Sequence, residues 1–493
     1  MYDASQEKKR VTHNACTSVI VGPAATIDGS VMIARTEDNY CANAPKYMTV
    51  IPPRVWIDET FVSANNGFRI QLTGKAWGYT ATPEGDPREG LYEESGINGA
   101  GVAMSATEST YANDLVLSYD PLVADGIAED AMVTVVLPFV NTAREGVERL
   151  GRIISEQGSA ENNSVLFADS NEAWYMEIAT GHHWVAQRFA EAEVAVCANR
   201  MAIEEIDFES DNFLCSEGIK EFIDDHRLNP DADEYLGEYH FRRIFATASQ
   251  QDVHYNAPRV WYGQRYLSTP TPEFSLLQEG ENPQYLDTAF VFEPGRKITV
   301  DDVDFVLSSH YDGTEFDPLS NLGTPVTRKR YRPISLTRTQ EGHILQMRPW
   351  VRPELAGIHW IAFAATAFTP FVPVMASVTD LPEVYKNPGP EPSHDSAYWI
   401  FRMLGVLAEA NYPVSARMMD TYLSQCRQKS HAFVARMDEM CKNLPAEEVF
   451  YVLTKENNTF LTEIIEDTRA QIGKLLIACA ENSELTFSLD ENL

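Results

Sequence analysis

The stretch "NACTSVIVGPAATIDGSVMIARTEDNY", residues 14–40, contains the features that decide the fold. Cys16 stands at the start of a segment whose valines and isoleucines predict a β-strand. An Asp-Gly pair at residues 28–29 is a strong signal for a tight hairpin turn. A second predicted strand then ends in "RTED", which contains Arg35 and Asp38. The hairpin therefore predicts that Arg35 and Asp38 return to lie beside Cys16.

The rest of the chain is a mixture of predicted strands and helices. Four strand-like segments between residues 164 and 199 are joined by short turns, which predicts a four-stranded antiparallel meander in one sheet. Residues 142–158 carry apolar side chains at helical spacing. The sequence becomes helical again from about residue 396, after a proline-rich stretch at 384–395. We therefore predict an α+β fold in which helices cover the apolar faces of the sheet.

The charge of the chain excludes some classes of partner. The 39 Lys and Arg residues are outnumbered by 72 Asp and Glu residues, which gives a formal net charge of −33. A field of that sign repels phosphate, so we expect no binding to nucleic acid or to an anionic membrane surface. No run approaches the roughly 18 apolar residues that span a bilayer. The first fifteen residues lack the apolar core of a secretory signal, so we expect a cytosolic protein.

Motifs for metal and nucleotide chemistry are missing from the sequence. The seven cysteines are spread along the chain without a C-x-x-C pair, which disfavours both a disulfide framework and a zinc site. We find no H-E-x-x-H, G-x-S-x-G or Walker motif. His182 and His183 are adjacent on a predicted strand and point to opposite faces, so they do not readily share one metal ion.

Cys16 is the candidate nucleophile. The alternative interpretation is a buried structural cysteine, which is the usual role of a free thiol in a protein core. A free α-amine titrates near about 7.7–8.0 and can act as a base at neutral pH. A cysteine that is itself the chain terminus carries nucleophile and base on one residue. Cys16 would have this arrangement if the tail were removed after Ala15.

These residues resemble the start of the cysteine-type dipeptidases of the N-terminal nucleophile (Ntn) hydrolase superfamily, which are relatives of the secernins. The resemblance covers essentially the whole chain from Cys16. It continues in "NGAGVAMSATES" (98–109), "YNAPRVWYGQRYL" (255–267), "HILQMRPWVRPELAGIHWIAF" (343–363) and "SAYWIFRMLGVLAEANYP" (396–413). It implies an αββα sandwich, with two stacked antiparallel sheets between helical layers. It also implies hydrolysis of dipeptides, with no metal and no other cofactor.

The resemblance also implies an organisation of the chain. We expect residues 1–15 to be a propeptide-like tail and residues 16–383 to form the Ntn hydrolase catalytic domain. We expect residues 384–493 to form a helical C-terminal region that packs on the same domain. The partners implied are small dipeptide substrates, and we expect the chain to form a homo-oligomer.

The resemblance assigns catalytic roles residue by residue. Cys16 matches the nucleophile. Arg35 and Asp38 match a pair that flanks the thiol and the α-amine in related acylases; the alternative is an ordinary ion pair between the two. Asn199 matches an asparagine that donates to the oxyanion, and its alternative is a turn asparagine that closes the meander. Arg242 is the candidate for a further arginine in substrate binding, and its neighbour Arg243 fits equally well.

Two other functions stay open at the level of the sequence. A related acylase would cleave an N-acyl amide with the same machinery, and only the substrate pocket would distinguish it. A dipeptide carries an ammonium group that favours a carboxylate, whereas an acyl chain favours an apolar slot. A secernin-like protein would keep the fold for a non-enzymatic interaction role, because a fold does not determine a function.

Overall fold

The computed structural model describes residues 16–39, 44–232, 238–247, 254–268, 289–387, 389 and 391–483. The strands in these ranges are β1 Thr17–Val21, β2 Val31–Asp38, β3 Thr49–Ile51, β4 Arg54–Val62, β5 Arg69–Ala76, β6 Tyr79–Ala81, β7 Ser95–Ile97, β8 Ala103–Ser109, β9 Asn163–Ala168, β10 Ala173–Ile178, β11 Trp184–Arg188, β12 Val194–Cys197, β13 Phe213–Cys215, β14 Val291–Phe292, β15 Thr339–Met347, β16 Gly357–Phe363 and β17 Val372–Met375. The helices are α1 Asp114–Tyr119, α2 Glu129–Val136, α3 Ala143–Gln157, α4 Ile219–Asp225, α5 Phe241–Phe245, α6 Ala257–Leu267, α7 Val300–Leu307, α8 Pro353–Ala356, α9 Glu383–Lys386, α10 Ala397–Ala410, α11 Tyr412–Cys441 and α12 Ala446–Glu481.

Two antiparallel sheets form the centre of the molecule. Within the described residues, the larger sheet has the strand order β14-β12-β1-β2-β15-β16-β17. The smaller sheet has the order β13-β11-β10-β9-β8-β7. Two separate two-stranded antiparallel pairs, β3 with β6 and β4 with β5, lie outside these sheets. The fold is therefore mixed α+β with antiparallel sheets and long C-terminal helices, which confirms the predicted class at this level.

The hydrophobic core has three parts that follow from the two-residue repeat of strands. Ile20 and Ile33 of the larger sheet share a buried cluster with Leu166 of the smaller sheet. The alternate residues of β1 and β2 point the other way, into a buried cluster that also contains residues of α7, α10, α11 and α12. Helices α2 and α3 pack on the outer face of the smaller sheet. Each sheet therefore shares one core with helices and another core with the other sheet.

The C-terminal helices are long and lie against each other. Helices α11 and α12 contain 30 and 36 residues and are joined by a short connection, as expected for antiparallel neighbours. Phe433 and Phe460 stack across the pair with ring centroids 4.5 Å apart. Among the helices in the described part of the chain, none combines the length and the apolar character needed to cross a bilayer.

The first hairpin forms, but its turn differs from the prediction. Thr17 pairs with Thr36 and Val21 with Met32, so the connection covers residues 22–30 and is not a two-residue turn at 28–29. The backbone of this connection pairs with other segments instead; the N–H of Ala24, for example, donates to the Glu191 carbonyl at 2.7 Å. These long-range hydrogen bonds satisfy backbone N–H and C=O groups of the connection, which a tight turn would have paired within the hairpin.

The predicted four-stranded meander is wrong in its last strand. Strands β9, β10 and β11 pair consecutively in the smaller sheet. Strand β12 instead crosses to the larger sheet, where Cys197 pairs with Ser18 of β1. All four residues of β12 are buried, which suits a strand in the interior of a covered sheet. The other edge of β11, where the sequence predicted β12, pairs with β13, whose residues are only half-buried.

Candidate active site

Cys16 lies immediately before β1 and is fully buried. Strand β1 runs between β2 and β12, so both neighbours bring side chains to its start. From β2, Nη1 of Arg35 lies 3.5 Å from Sγ of Cys16. From the end of β12, Oδ1 of Asn199 accepts a hydrogen bond from the Cys16 backbone N–H at 3.0 Å. The structure therefore brings two of the predicted site residues into contact with Cys16.

Arg35 connects the thiol to buried carboxylates. Its Nη2 donates to Glu94, and its Nη1 lies 3.7 Å from Oε1 of Glu129. Burial by itself lowers the pKa of the guanidinium, but the negative charges of Cys16, Glu94 and Glu37 raise the pKa well above its ordinary value. Arg35 therefore stays a cation beside the thiol, and a cation in that position favours the thiolate.

A second ion pair lies on the same face of β2. Nζ of Lys46 is 3.1 Å from Oε1 and 2.9 Å from Oε2 of Glu37, and it also donates to the Tyr92 carbonyl at 2.9 Å. Burial lowers the pKa of Lys46, but Glu37 and its neighbours raise that pKa above its usual range. Lys46 therefore remains charged and ties residue 92 to the β2 strand. No motif in the sequence pointed to this lysine.

Asp38 forms an ion pair with Arg332, whereas one interpretation of the sequence paired it with Arg35. Residues three apart on a strand face opposite sides of a sheet, so the two side chains diverge. The carboxylate of Asp38 is fully buried and accepts from the Arg332 guanidinium and the Thr339 hydroxyl. The structure thus places Asp38 on the opposite face of β2 from Arg35, in an ion pair with Arg332.

Arg259 on α6 approaches Cys16 from the side of β12 and is fully buried. Its Nη1 donates to the Cys16 carbonyl at 2.6 Å and to the Thr17 hydroxyl at 2.9 Å. Its Nη2 donates to Oδ1 of Asn199 at 2.8 Å and to Oδ1 of Asn256 at 2.6 Å. The guanidinium therefore fixes the backbone of the nucleophile. Together with the Cys16 N–H, it places two donors on Oδ1 of Asn199 and so sets the orientation of that amide.

The family resemblance offered Arg242, or equally its neighbour Arg243, as an arginine that binds substrate. The structure places Arg242 on α5, where its Nη2 lies 3.3 Å from Oε1 of Glu204 and its N–H donates to the Ile203 carbonyl. It supports the segment that follows Asn199. The available signal for Arg259 was its position inside "YNAPRVWYGQRYL", one of the segments that carried the family resemblance.

A buried carboxylate also holds the segment that follows Asn199. Glu177 on β10 accepts from the backbone N–H of Ala202 at 2.6 Å and of Ile203 at 3.2 Å. It also accepts from the Tyr175 hydroxyl at 3.1 Å. Burial raises the pKa of Glu177 to about 7, although these hydrogen bonds oppose the rise. Glu177 therefore links the smaller sheet to the strand end that presents Asn199.

The arrangement supplies most of what an amide-cleaving thiol needs. The Arg35 guanidinium lies 3.5 Å from the Cys16 thiol, and the Asn199 amide lies beside the backbone nitrogen of Cys16. In the chain with its tail, that nitrogen is a peptide amide and cannot act as a base. A nucleophile with its own base would exist only if the bond between Ala15 and Cys16 were cut.

Comparisons with known proteins agree on one family. The sequence profile of Peptidase family C69 matches residues 15–425. A "Probable dipeptidase" of Latilactobacillus sakei is 42% identical over 98% of this chain and 99% of its own. A "Probable dipeptidase B" of Lactococcus lactis is 37% identical over 97% of this chain and 98% of its own. A "Dipeptidase A" of Lactobacillus helveticus is 32% identical over 94% of this chain and 96% of its own.

Proposed function

The chain belongs to peptidase family C69, and we propose on this basis that it is a cysteine dipeptidase that cleaves its substrate through a thioester at Cys16. The observation that carries the proposal is the contact of Arg35 with Sγ of Cys16, combined with the bond from the Cys16 nitrogen to Asn199. The names of the similar proteins supply the class of substrate.

In the proposed mechanism, the free α-amine of Cys16 accepts the thiol proton, and Sγ attacks the carbonyl carbon of the peptide bond. Arg35 stabilises the thiolate. The amide nitrogen of Asn199 donates to the oxyanion of the tetrahedral intermediate, for which one such donor is typically worth about 10²–10³ in rate. The ammonium then gives its proton to the leaving amine. Water cleaves the thioester and regenerates the thiol.

We also propose that the two sheets and their helices form the αββα sandwich of Ntn hydrolases. The shared core between the sheets and the helical cores on their outer faces support this assignment. In that arrangement Cys16 and Arg35 lie at one end of the interface between the sheets, because Arg35 is on the same face of β2 as Ile33.

The active protein is expected to begin at Cys16. The reason is that the α-amine can serve as the base only after residues 1–15 are gone. Intact mass spectrometry of purified, active enzyme should show a chain that lacks those residues. Full activity in a protein whose sequenced terminus is Met1 or Tyr2 would contradict the α-amine mechanism.

Replacing Asp38 with asparagine is expected to lower kcat/KM by about 10²-fold, equivalent to about 2.7 kcal/mol of transition-state stabilisation. We propose that Asp38 fixes Arg332, whose guanidinium lies 5.4 Å from the centroid of the Tyr255 ring. Arg259 lies 5.1 Å from the centroid of that ring, so both arginines lie against the ring of Tyr255. Loss of the Asp38 charge should therefore disturb the position of Cys16 and of its α-amine.

The measurement is kcat/KM on protein that is confirmed by mass to start at Cys16 and by thermal melting to be folded. A matched control is Asp380→Asn, which breaks the exposed ion pair with Lys386 at 2.8 Å. A surface pair of this kind contributes about 0–1 kcal/mol and should leave turnover unchanged. If Asp38→Asn keeps kcat/KM within a few-fold of the parent, Asp38 has only a structural role.

A further inference from the structure

We propose that Glu94 selects substrates with a free α-ammonium group, by accepting a hydrogen bond from that group at its Oε1 atom. The inference rests on the proposed dipeptidase function and names the residue that would distinguish a dipeptide from an N-acyl compound. Three observations support it: the Glu94 carboxylate lies near the thiol, its Oε1 atom has no hydrogen-bond partner among the described residues, and its backbone is strained.

Glu94 lies close to the reacting thiol. Its carboxylate accepts from Nη2 of Arg35, and the neighbouring Nη1 atom of that guanidinium is 3.5 Å from Sγ of Cys16. In a dipeptide, the ammonium nitrogen is separated by a single carbon from the carbonyl carbon that Sγ would attack. The group that recognises this ammonium must therefore lie next to the thiol. The Glu94 carboxylate, which is bonded to Arg35, meets this requirement.

Within the described residues, the fold pairs only one of the two oxygens of Glu94. The residue is 1% exposed, and its Oε2 atom is used by Arg35. Among the described residues, Oε1 has no hydrogen-bond partner. A buried carboxylate oxygen without a donor is costly, because it has lost its water without replacement. An ammonium group supplies both the missing donor and the matching charge, whereas the apolar end of an acyl chain supplies neither.

The backbone around Glu94 is held in an unusual conformation. Glu94 has a φ of 55° and Tyr92 a φ of 44°, both in the left-handed region that residues with a side chain rarely adopt. Strain of this kind persists mainly where a site requires it. In this conformation the Glu94 side chain contacts Arg35, while the adjacent Glu93 accepts from the hydroxyls of Tyr79 at 2.7 Å and Thr134 at 2.8 Å.

The test compares alanyl-alanine with propionyl-alanine, which differs only by a hydrogen in place of the ammonium group. The parent enzyme, confirmed by mass to start at Cys16, should cleave alanyl-alanine with a kcat/KM at least about 10³-fold higher, because a buried group built for a donor rejects an analogue without it. Glu94→Gln should lower this ratio by at least about 10-fold, chiefly through loss of alanyl-alanine turnover.

Glu93→Gln is the matched control, since it neutralises an adjacent buried carboxylate with other partners and should leave the ratio unchanged. If Glu94 serves only to hold Arg35, Glu94→Gln will slow both substrates equally, and the unchanged ratio will overturn the inference. Equal cleavage of both compounds by the parent overturns it even if Glu94→Gln does not fold. A parent that cleaves neither compound instead overturns the dipeptidase function, and the inference with it.

Discussion

Cys16→Ala is expected to abolish dipeptide hydrolysis, with a fall in kcat of about 10⁴-fold or more, because the thioester cannot form without the thiol. No other group takes over this step in the proposed mechanism. Arg35 stabilises the thiolate and Asn199 stabilises the oxyanion, and neither charge forms without the thiol. The measurement is kcat on alanyl-alanine with protein whose terminus has been determined by intact mass.

The same variant tests how the tail is removed. In self-processing, the Cys16 thiol attacks the Ala15 carbonyl, and the acyl group of residues 1–15 transfers from the Cys16 nitrogen to Sγ, which frees the α-amine. Water then cleaves the thioester, which releases residues 1–15 and regenerates the thiol. Cys16→Ala should then retain residues 1–15. A variant that is still trimmed at this position would show that another protease removes the tail.

Cys426→Ala is the control for the loss of a thiol. Cys426 is buried on α11, and burial raises the pKa of its thiol to about 11, so it is protonated at neutral pH. Its replacement should leave kcat unchanged. Iodoacetamide should correspondingly label Cys16 of the mature enzyme before Cys426, since the thiolate is the reactive form. Substantial turnover by Cys16→Ala would remove Cys16 from the mechanism.

The second large effect is expected from Arg259→Lys. We expect kcat/KM to fall by about 10³-fold and the free energy of unfolding to fall by about 3 kcal/mol, because a buried, multiply bonded cation is replaced by a point charge. Lysine keeps the charge but cannot donate at once to the Cys16 carbonyl and to Asn199. The amide of Asn199 would lose one of the two donors that orient it.

Arg265→Lys is the matched control, because Arg265 lies on the same helix α6 but is exposed. It should change neither kcat/KM nor stability by a measurable amount. Chemical denaturation gives the free energy of unfolding, and steady-state kinetics on folded protein gives kcat/KM. If Arg259→Lys is destabilised yet keeps parental kcat/KM, the residue holds the fold and has no part in placing the nucleophile.

The sequence predicted the parts of the site that depend on short-range geometry. Cys16 and Arg35 are nineteen residues apart and lie on neighbouring strands of one hairpin, so strand pattern alone was enough to bring them together. The α3 helix over 143–157 was likewise visible in its apolar spacing, and the structure confirms it. Such features need only local periodicity and one turn.

The remaining parts depend on long-range packing that the sequence does not encode locally. Arg259 reaches Cys16 across 243 positions, and Arg332 reaches Asp38 across 294. Strand β12 was assigned to the wrong sheet because tight spacing favours consecutive pairing, whereas its burial on both faces favoured the larger sheet. Glu94 lies in no motif, and its proposed role rests on Oε1, which has no hydrogen-bond partner among the described residues, and on its backbone conformation.

The bond from the Cys16 nitrogen to Asn199 has a consequence for how this protein would be activated. In the chain that still carries residues 1–15, the Cys16 nitrogen already donates to Oδ1 of Asn199 at 3.0 Å, and an amine released by the proposed cleavage can donate to the same atom. If the tail is removed as proposed, the uncleaved chain would already hold Cys16 and Asn199 in their catalytic positions. Its activation would require no conformational rearrangement of the kind that orders the catalytic loops of many proenzymes, because cutting one peptide bond turns an inert nitrogen into a base.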